Sequence, residues 1–244
     1  MTNKELLIGT TPTYHVFPDD GAKHPGLIVI HEIWGMNDHI KDVANRFAEQ
    51  GYSVVAPNLF HGMSFEGKAD HTILDEMKNP ETKDVAQKKM RELFAPIQAP
   101  EFAKTILDQL TECTNYLLAD TSVSDNVGTL GFCWGGGYAL AFAAHDARVK
   151  AVVSFYGQPL APEKIKDLAC PVLSFFGEED AALIASLPTL KEGMKEAGKD
   201  FTDVVYPKAG HAFFNDTNAR MYNADAAEDA WKKTLEFLSK NLNA

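Results

Sequence analysis

The segment Gly131-Phe132-Cys133-Trp134-Gly135 sets a thiol between a short apolar strand and an Ala-rich helix. That spacing is the G-x-S-x-G nucleophile elbow with sulfur in place of the hydroxyl. A thiolate at this corner attacks a carbonyl carbon, provided that another group takes its proton. The bland alternative is a small buried Cys in a tight turn. His211, in the segment GHAFFND, is able to accept the proton and return it to a leaving alcohol. An acid behind the imidazole would hold its tautomer and stabilise the imidazolium. The run Gly177-Glu178-Glu179-Asp180 offers three such acids, and residue type alone does not choose among them.

Elements that would position these groups alternate along the chain. The apolar run Leu27 to Ile30 reads as a buried strand, and residues 37–51 as an amphipathic helix with Ile40, Val43, Ala44, Phe47 and Ala48 on one face. Asn37 or Asp38 would cap its start and Gly51 its end. Residues 52–60 form the next strand, giving a strand-helix-strand unit that favours parallel pairing. Residues 61–100 are polar and broken by Pro80, Pro96 and Pro100, which suggests helical turns without a sheet strand. A helix over 101–120 places Cys113 on its inward face. Further strands read at 127–131, 149–157, 172–176 and 202–206, with helices reaching His145 and spanning 183–197 and 223–242. No strand is assigned before residue 27. The pattern predicts one domain over residues 1–244 with an α/β fold: a doubly wound, mostly parallel sheet flanked by helices.

Bulk composition narrows the function classes. Lys plus Arg total 23 against 34 Asp plus Glu, a net charge of −11, which disfavours nucleic acid and anionic membrane surfaces. No stretch approaches the ~18 to 20 apolar residues of a membrane span, and the N-terminus lacks a secretory h-region. Three cysteines, Cys113, Cys133 and Cys170, outside any C-x-x-C pair argue for reduced thiols and a cytoplasmic location. No metal is expected: His31 adjoins Glu32 but has no His at i+4, and His15, His24, His39, His61, His71 and His145 show no ligand spacing. Solvated or capping roles are expected for most of them. GFCWGGG lacks the Lys and Ser/Thr of a phosphate loop, so no nucleotide cofactor is expected.

Four motifs fall just past the carboxyl ends of strands, where open parallel sheets bind ligands: HEIWG, GFCWGG, GEED and GH. Nucleophile, acid and base occur in that chain order, the α/β-hydrolase order. With GYSVVAPNLF and GHAFFND, these motifs span residues 27–216, and the chain resembles the dienelactone hydrolase (carboxymethylenebutenolidase) family. The resemblance implies an α/β-hydrolase fold, a small-molecule ester or lactone as partner, and Cys133 as nucleophile, Asp180 as acid and His211 as base. It also implies that Glu32 lies close to the sulfur. The oxyanion donors would then be the backbone N–H of Trp134, at a helix N-terminus, and of Ile33 in the early loop. An ionised Glu32 beside the sulfur would oppose the thiolate that the helix N-terminus and His211 favour. A resting enzyme with a neutral thiol, released when substrate moves Glu32, is one outcome; a Glu32 that only anchors its loop is the other.

The resemblance also predicts a departure. Relatives specialised for carboxylate-bearing lactones carry an Arg four residues beyond the base; here that position is Asn215. Arg46, Arg91, Arg148 and Arg220 are the only arginines, and Arg91 or Arg220 would have to supply any missing charge. Phe213, Phe214, Trp34 and Trp134 suggest an aromatic-rich, apolar pocket. Two rival classes are a redox-sensing thiol protein and a non-catalytic binding protein on the same fold.

Overall fold

The computed structural model describes residues 1–68, 73, 76 and 79–243. Among them, eight strands form one sheet: β1 Thr2–Ile8, β2 Thr11–Phe17, β3 His24–Ile30, β4 Ser53–Pro57, β5 Val123–Phe132, β6 Val149–Phe155, β7 Val172–Gly177 and β8 Phe201–Tyr206. Their spatial order is β1-β2-β4-β3-β5-β6-β7-β8. β3 to β8 run parallel, while β2 pairs antiparallel with β1 and β4. The inner strands β3, β4 and β7 are buried along nearly their whole length. Such strands carry apolar runs rather than alternation, because helices cover both faces of a parallel sheet.

The helices are α1 Asp38–Glu49, α2 Lys83–Leu93, α3 Pro100–Ala119, α4 Trp134–His145, α5 Pro162–Ile165, α6 Ala181–Glu196 and α7 Ala224–Leu242, with a 3-10 turn at Ala95–Gln98. α1 and α7 share one face, where Phe47 packs on Trp231 with ring centroids 4.5 Å apart. α3 to α6 cover the other, each touching the next. The start of α1 is capped by Asn37, whose side chain accepts from Ile40 N at 3.1 Å. Cys113 is wholly buried in α3.

The hairpin β1–β2 is an addition to the sequence reading, which placed no strand there. Its inward positions explain why. β2 buries Thr11, Thr13 and His15, so polar residues occupy the core-facing phase that usually reveals a strand. β1 is an edge strand with Leu7 65% exposed, and offers no buried face to read.

The histidines also need correcting. His15 is buried, not solvated: its ring meets Tyr116 Oη and Ser53 Oγ, each at 3.0 Å. Burial, with help from Lys4, pushes it down to about 4, so it is a neutral core histidine. His39 is buried in the first turn of α1, 3.4 Å from Asp216. His24 bonds Gly51 O and Asp20, and His61 is exposed near Glu66. His71 lies outside the described residues.

Strands β4 and β5 flank β3 on opposite sides, so the chain reverses its direction of growth at β3. A crevice opens past the carboxyl ends of strands at such a switch point. The loop after β3 carries Glu32 and Ile33, and the turn after β5 carries Cys133.

Candidate active site

Cys133 caps the N-terminus of α4 with φ 55° and ψ −118°. Side chains with a Cβ rarely enter that region, and holding one there costs roughly 1–3 kcal/mol. The surroundings enforce it. Cys133 N donates to Phe155 O at 2.9 Å, tying the turn to β6. A Cβ on Gly131 would collide with the Gly135 carbonyl, and one on Gly135 with the carbonyls of Ile30 and His31. Strand, turn and helix therefore approach more closely than side chains permit. The thiol is left half-buried at the start of the helix.

His211 lies in the loop after β8, with Nδ1 2.5 Å from Asp180 Oδ2. Its ring also lies within electrostatic reach of Cys133. Nδ1 is engaged by Asp180, which leaves the other ring nitrogen open to a second partner. Asp180 follows β7 and caps the start of α6. Of the three neighbouring acids it is the one bonded to His211; Glu178 instead accepts from Lys208 N at 3.3 Å. Burial alone would lower the histidine, but the hydrogen bonds and charges of Asp180 and Cys133 outweigh it and raise it to about 10. The imidazolium form therefore persists at neutral pH.

Glu32 is buried, and its Oε2 accepts from Asn215 Nδ2 at 2.8 Å. Asn215 is wholly buried too, and its Oδ1 accepts from Thr217 N and Oγ1 at 3.1 and 2.7 Å. Those two contacts fix which end of the amide faces Glu32. Burial pushes the Glu32 carboxyl above its ordinary range, while Asn215, His211 and Tyr156 pull it back. Tyr156 is a residue the sequence reading missed. It follows β6 with φ 41°, and its buried hydroxyl faces the Glu32 carboxylate without a hydrogen bond of good geometry. A strand-ending FYG was its only trace in the sequence.

Trp134 opens α4, where the first N–H groups have no partner within the helix. Its ring packs on Tyr138 with centroids 4.3 Å apart. Ile33 and Trp34 are half-buried and, with Met36, Phe60, Phe65 and Glu66, border a cavity of about 220 Å³. The sequence reading set Phe213 and Phe214 in a pocket lining; the fold buries both. Both are core residues, packed on Tyr156 and Tyr206 and on Phe132 and Phe155.

Two arginines are committed elsewhere. Arg46 lies over Trp231 at 4.4 Å, and Arg148 pairs with Asp146 at 2.6 Å. Arg91 and Arg220 are exposed. Among the described residues, no group of three or more His, Cys, Asp or Glu has a metal-binding arrangement, and no helix is long and apolar enough to cross a membrane.

Residues 11–242 match the model of the dienelactone hydrolase family. A relative from Methylorubrum extorquens named "Putative carboxymethylenebutenolidase" is 33% identical over 94% of this chain and 76% of its own length. One of the same name from Saccharolobus solfataricus is also 33% identical, over 92% of this chain and 96% of its own. Among solved structures, a "Putative Dienelactone Hydrolase" from Klebsiella pneumoniae superposes with a TM-score of 0.82 at 27% identity, covering 98% of each chain.

Proposed function

This chain belongs to the dienelactone hydrolase family of hydrolases, and on that premise we propose that it cleaves uncharged carboxylic esters or lactones through an acyl-enzyme on Cys133. One observation carries the reading: a single imidazole, His211, is bonded to Asp180 and lies within electrostatic reach of the thiol at the strained turn.

The steps follow from that geometry. The sulfur attacks the carbonyl carbon, and the carbonyl oxygen gains charge opposite the N–H groups of Trp134 and Ile33. The tetrahedral intermediate collapses to a thioester as His211 protonates the leaving alkoxide. Neutral His211 then takes a proton from water, whose oxygen attacks the thioester, and the thiolate leaves while that proton stays on His211, which restores the starting imidazolium. Asp180 holds Nδ1–H throughout, so the nitrogen facing the sulfur is always the one that exchanges protons. No cofactor enters any step.

Asn215 argues for uncharged substrates. It is spent on Glu32 inside the protein and presents no cation to a substrate carboxylate. The buried Glu32 carboxyl and Glu66 at the edge of the cavity by Ile33 also disfavour an anion there. A thiol-sensing role would need a resolving thiol. Cys113 and Cys170 are buried, and burial pushes both up to about 12.

The test is direct. Cys133→Ala should abolish turnover of p-nitrophenyl esters, a loss of at least about a thousandfold, with circular dichroism unchanged. Wild-type protein quenched during turnover of a slow ester should carry the acyl mass on the peptide containing Cys133. Acylation mapped to a serine would remove the central claim.

A further inference from the structure

His31 touches both sides of the site: the loop that carries Ile33 and the turn that carries Trp134. Leu59 N reaches His31 Nε2 at 3.2 Å. A backbone N–H only donates, so Nε2 carries no proton. The proton of the neutral ring is therefore on Nδ1, which lies 2.7 Å from the Glu32 carbonyl oxygen and donates to it. The ring is wholly buried, and burial holds it down at about 4. One tautomer therefore persists at neutral pH.

The bond to Glu32 has a consequence one atom pair away. The Glu32 carbonyl and the Ile33 N–H belong to one planar trans peptide and point in opposite directions. Fixing the first fixes the second. Gly35 N adds a second bond to the same oxygen at 3.1 Å. The Ile33 N–H is thus aimed away from the imidazole by two donors pulling on its partner carbonyl.

The ring also reaches the other donor. It stacks on the Trp134 indole at 15° with centroids 5.6 Å apart, and meets Phe60 edge-on at 4.6 Å. Its own main-chain carbonyl abuts Gly135, one residue beyond Trp134.

We infer that His31 is the positioning residue of the oxyanion hole, aligning the Ile33 N–H through a hydrogen bond and the Trp134 turn through ring stacking. This rests on the cysteine reading of the site. Preorganised donors are effective because they do not reorient during reaction, and losing one typically costs about 10²–10³ in rate.

Two substitutions and two reactions separate this role from mere support of the fold. His31→Phe keeps a ring against Trp134 and removes both hydrogen bonds. His31→Gln removes the ring and is able to restore both bonds, accepting from Leu59 N and donating to the Glu32 carbonyl. Ester hydrolysis builds an oxyanion, whereas alkylation of Cys133 by iodoacetamide does not. His31→Phe should lower kcat by about 10- to 100-fold, leave KM within about threefold, and leave the alkylation rate within about twofold. His31→Gln should recover the share of the lost kcat that the two hydrogen bonds carry, leaving a smaller deficit from the missing ring against Trp134.

Turnover of His31→Phe at the wild-type rate overturns the assignment. So does a parallel fall in hydrolysis and alkylation, or a Gln variant no better than Phe. Where His31→Phe does not fold, ¹⁵N NMR of the wild-type imidazole decides: a proton on Nδ1 supports the assignment, and one on Nε2 overturns it. Iodoacetamide-treated wild type that still hydrolyses esters overturns the cysteine reading itself, and this assignment with it.

Discussion

At Glu32 two tendencies compete. Burial favours the neutral carboxyl, while Asn215, His211 and Tyr156 favour the carboxylate, and burial prevails in direction. A raised carboxyl is neutral over a wider range of acid pH, so its repulsion of a nearby thiolate switches on only as pH rises through its titration. Glu32→Gln keeps an acceptor for Asn215 and removes the charge. Alkylation of Cys133 should then be up to about tenfold faster than in wild type at pH 8, the scale of a one-unit titration shift. The two rates should converge as pH falls and wild-type Glu32 takes up its proton. Ester turnover should fall if Glu32 moves during binding to release the thiolate. Rates that coincide at every pH leave Glu32 as a loop anchor. Cys133 could be singled out in the sequence because its surroundings are local: glycines at fixed offsets between a strand and a helix. The partner of Glu32 could not. Asn215 lies 183 residues away, and which side chain meets a buried carboxyl is decided by how two loops approach. Sequence alone offered Asn215 only as a missing arginine, not as the donor it is.

At the scale of elements, the turn from β5 into α4 depends on glycines that differ in how much they are needed. An added Cβ on Gly135 would strike main-chain carbonyls of Ile30 and His31, atoms that cannot swing aside. Gly135→Ala should therefore cost roughly 1–3 kcal/mol or more, the range of overpacked cores. It should also depress turnover by displacing Trp134. Two residues on, Gly137 is different. A Cβ there meets Gln158 no closer than 3.4 Å, an ordinary contact. Gly137→Ala should be stabilising by about 0.5–1 kcal/mol, the helix preference of Ala over Gly. Chemical denaturation of both variants checks the contrast, and equal destabilisation would mean that the tight approach is not at Gly135. The three consecutive glycines read alike in sequence, since composition does not report which of them faces a neighbouring backbone. The central strands were legible because burial on both faces forces apolar runs. The hairpin β1–β2 was not, because its inward residues are Thr11, Thr13 and His15. The His15 ring is satisfied by Tyr116 and Ser53, partners that only the folded chain supplies, and the Thr13 hydroxyl donates to the Thr11 carbonyl.

Across the whole molecule, charge sets how substrates arrive. The excess of 34 acids over 23 bases gives a net charge of −11, and the field of that excess repels anions at distances beyond direct contact. At the site, the residue four beyond His211 is a buried asparagine, and Arg46 and Arg148 are held by Trp231 and Asp146. A carboxylate-bearing lactone should therefore meet repulsion on approach and find no compensating cation at Asn215. A neutral ester of similar size should meet neither obstacle. Salt distinguishes these terms, because long-range repulsion is screened once the Debye length falls from ~30 Å at 0.01 M to ~8 Å at 0.15 M. For the anionic lactone, kcat/KM should start below that of the neutral ester and rise by a few-fold, roughly, over that range of ionic strength. For the neutral ester it should stay flat. Initial rates for both substrates at the two salt concentrations are sufficient. An anionic substrate that is preferred at low salt, and loses its advantage as salt is added, would reverse the sign of the local field. That result would direct attention to Arg91 and Arg220, the two exposed arginines, and Arg91→Gln and Arg220→Gln would then show which of them attracts the carboxylate.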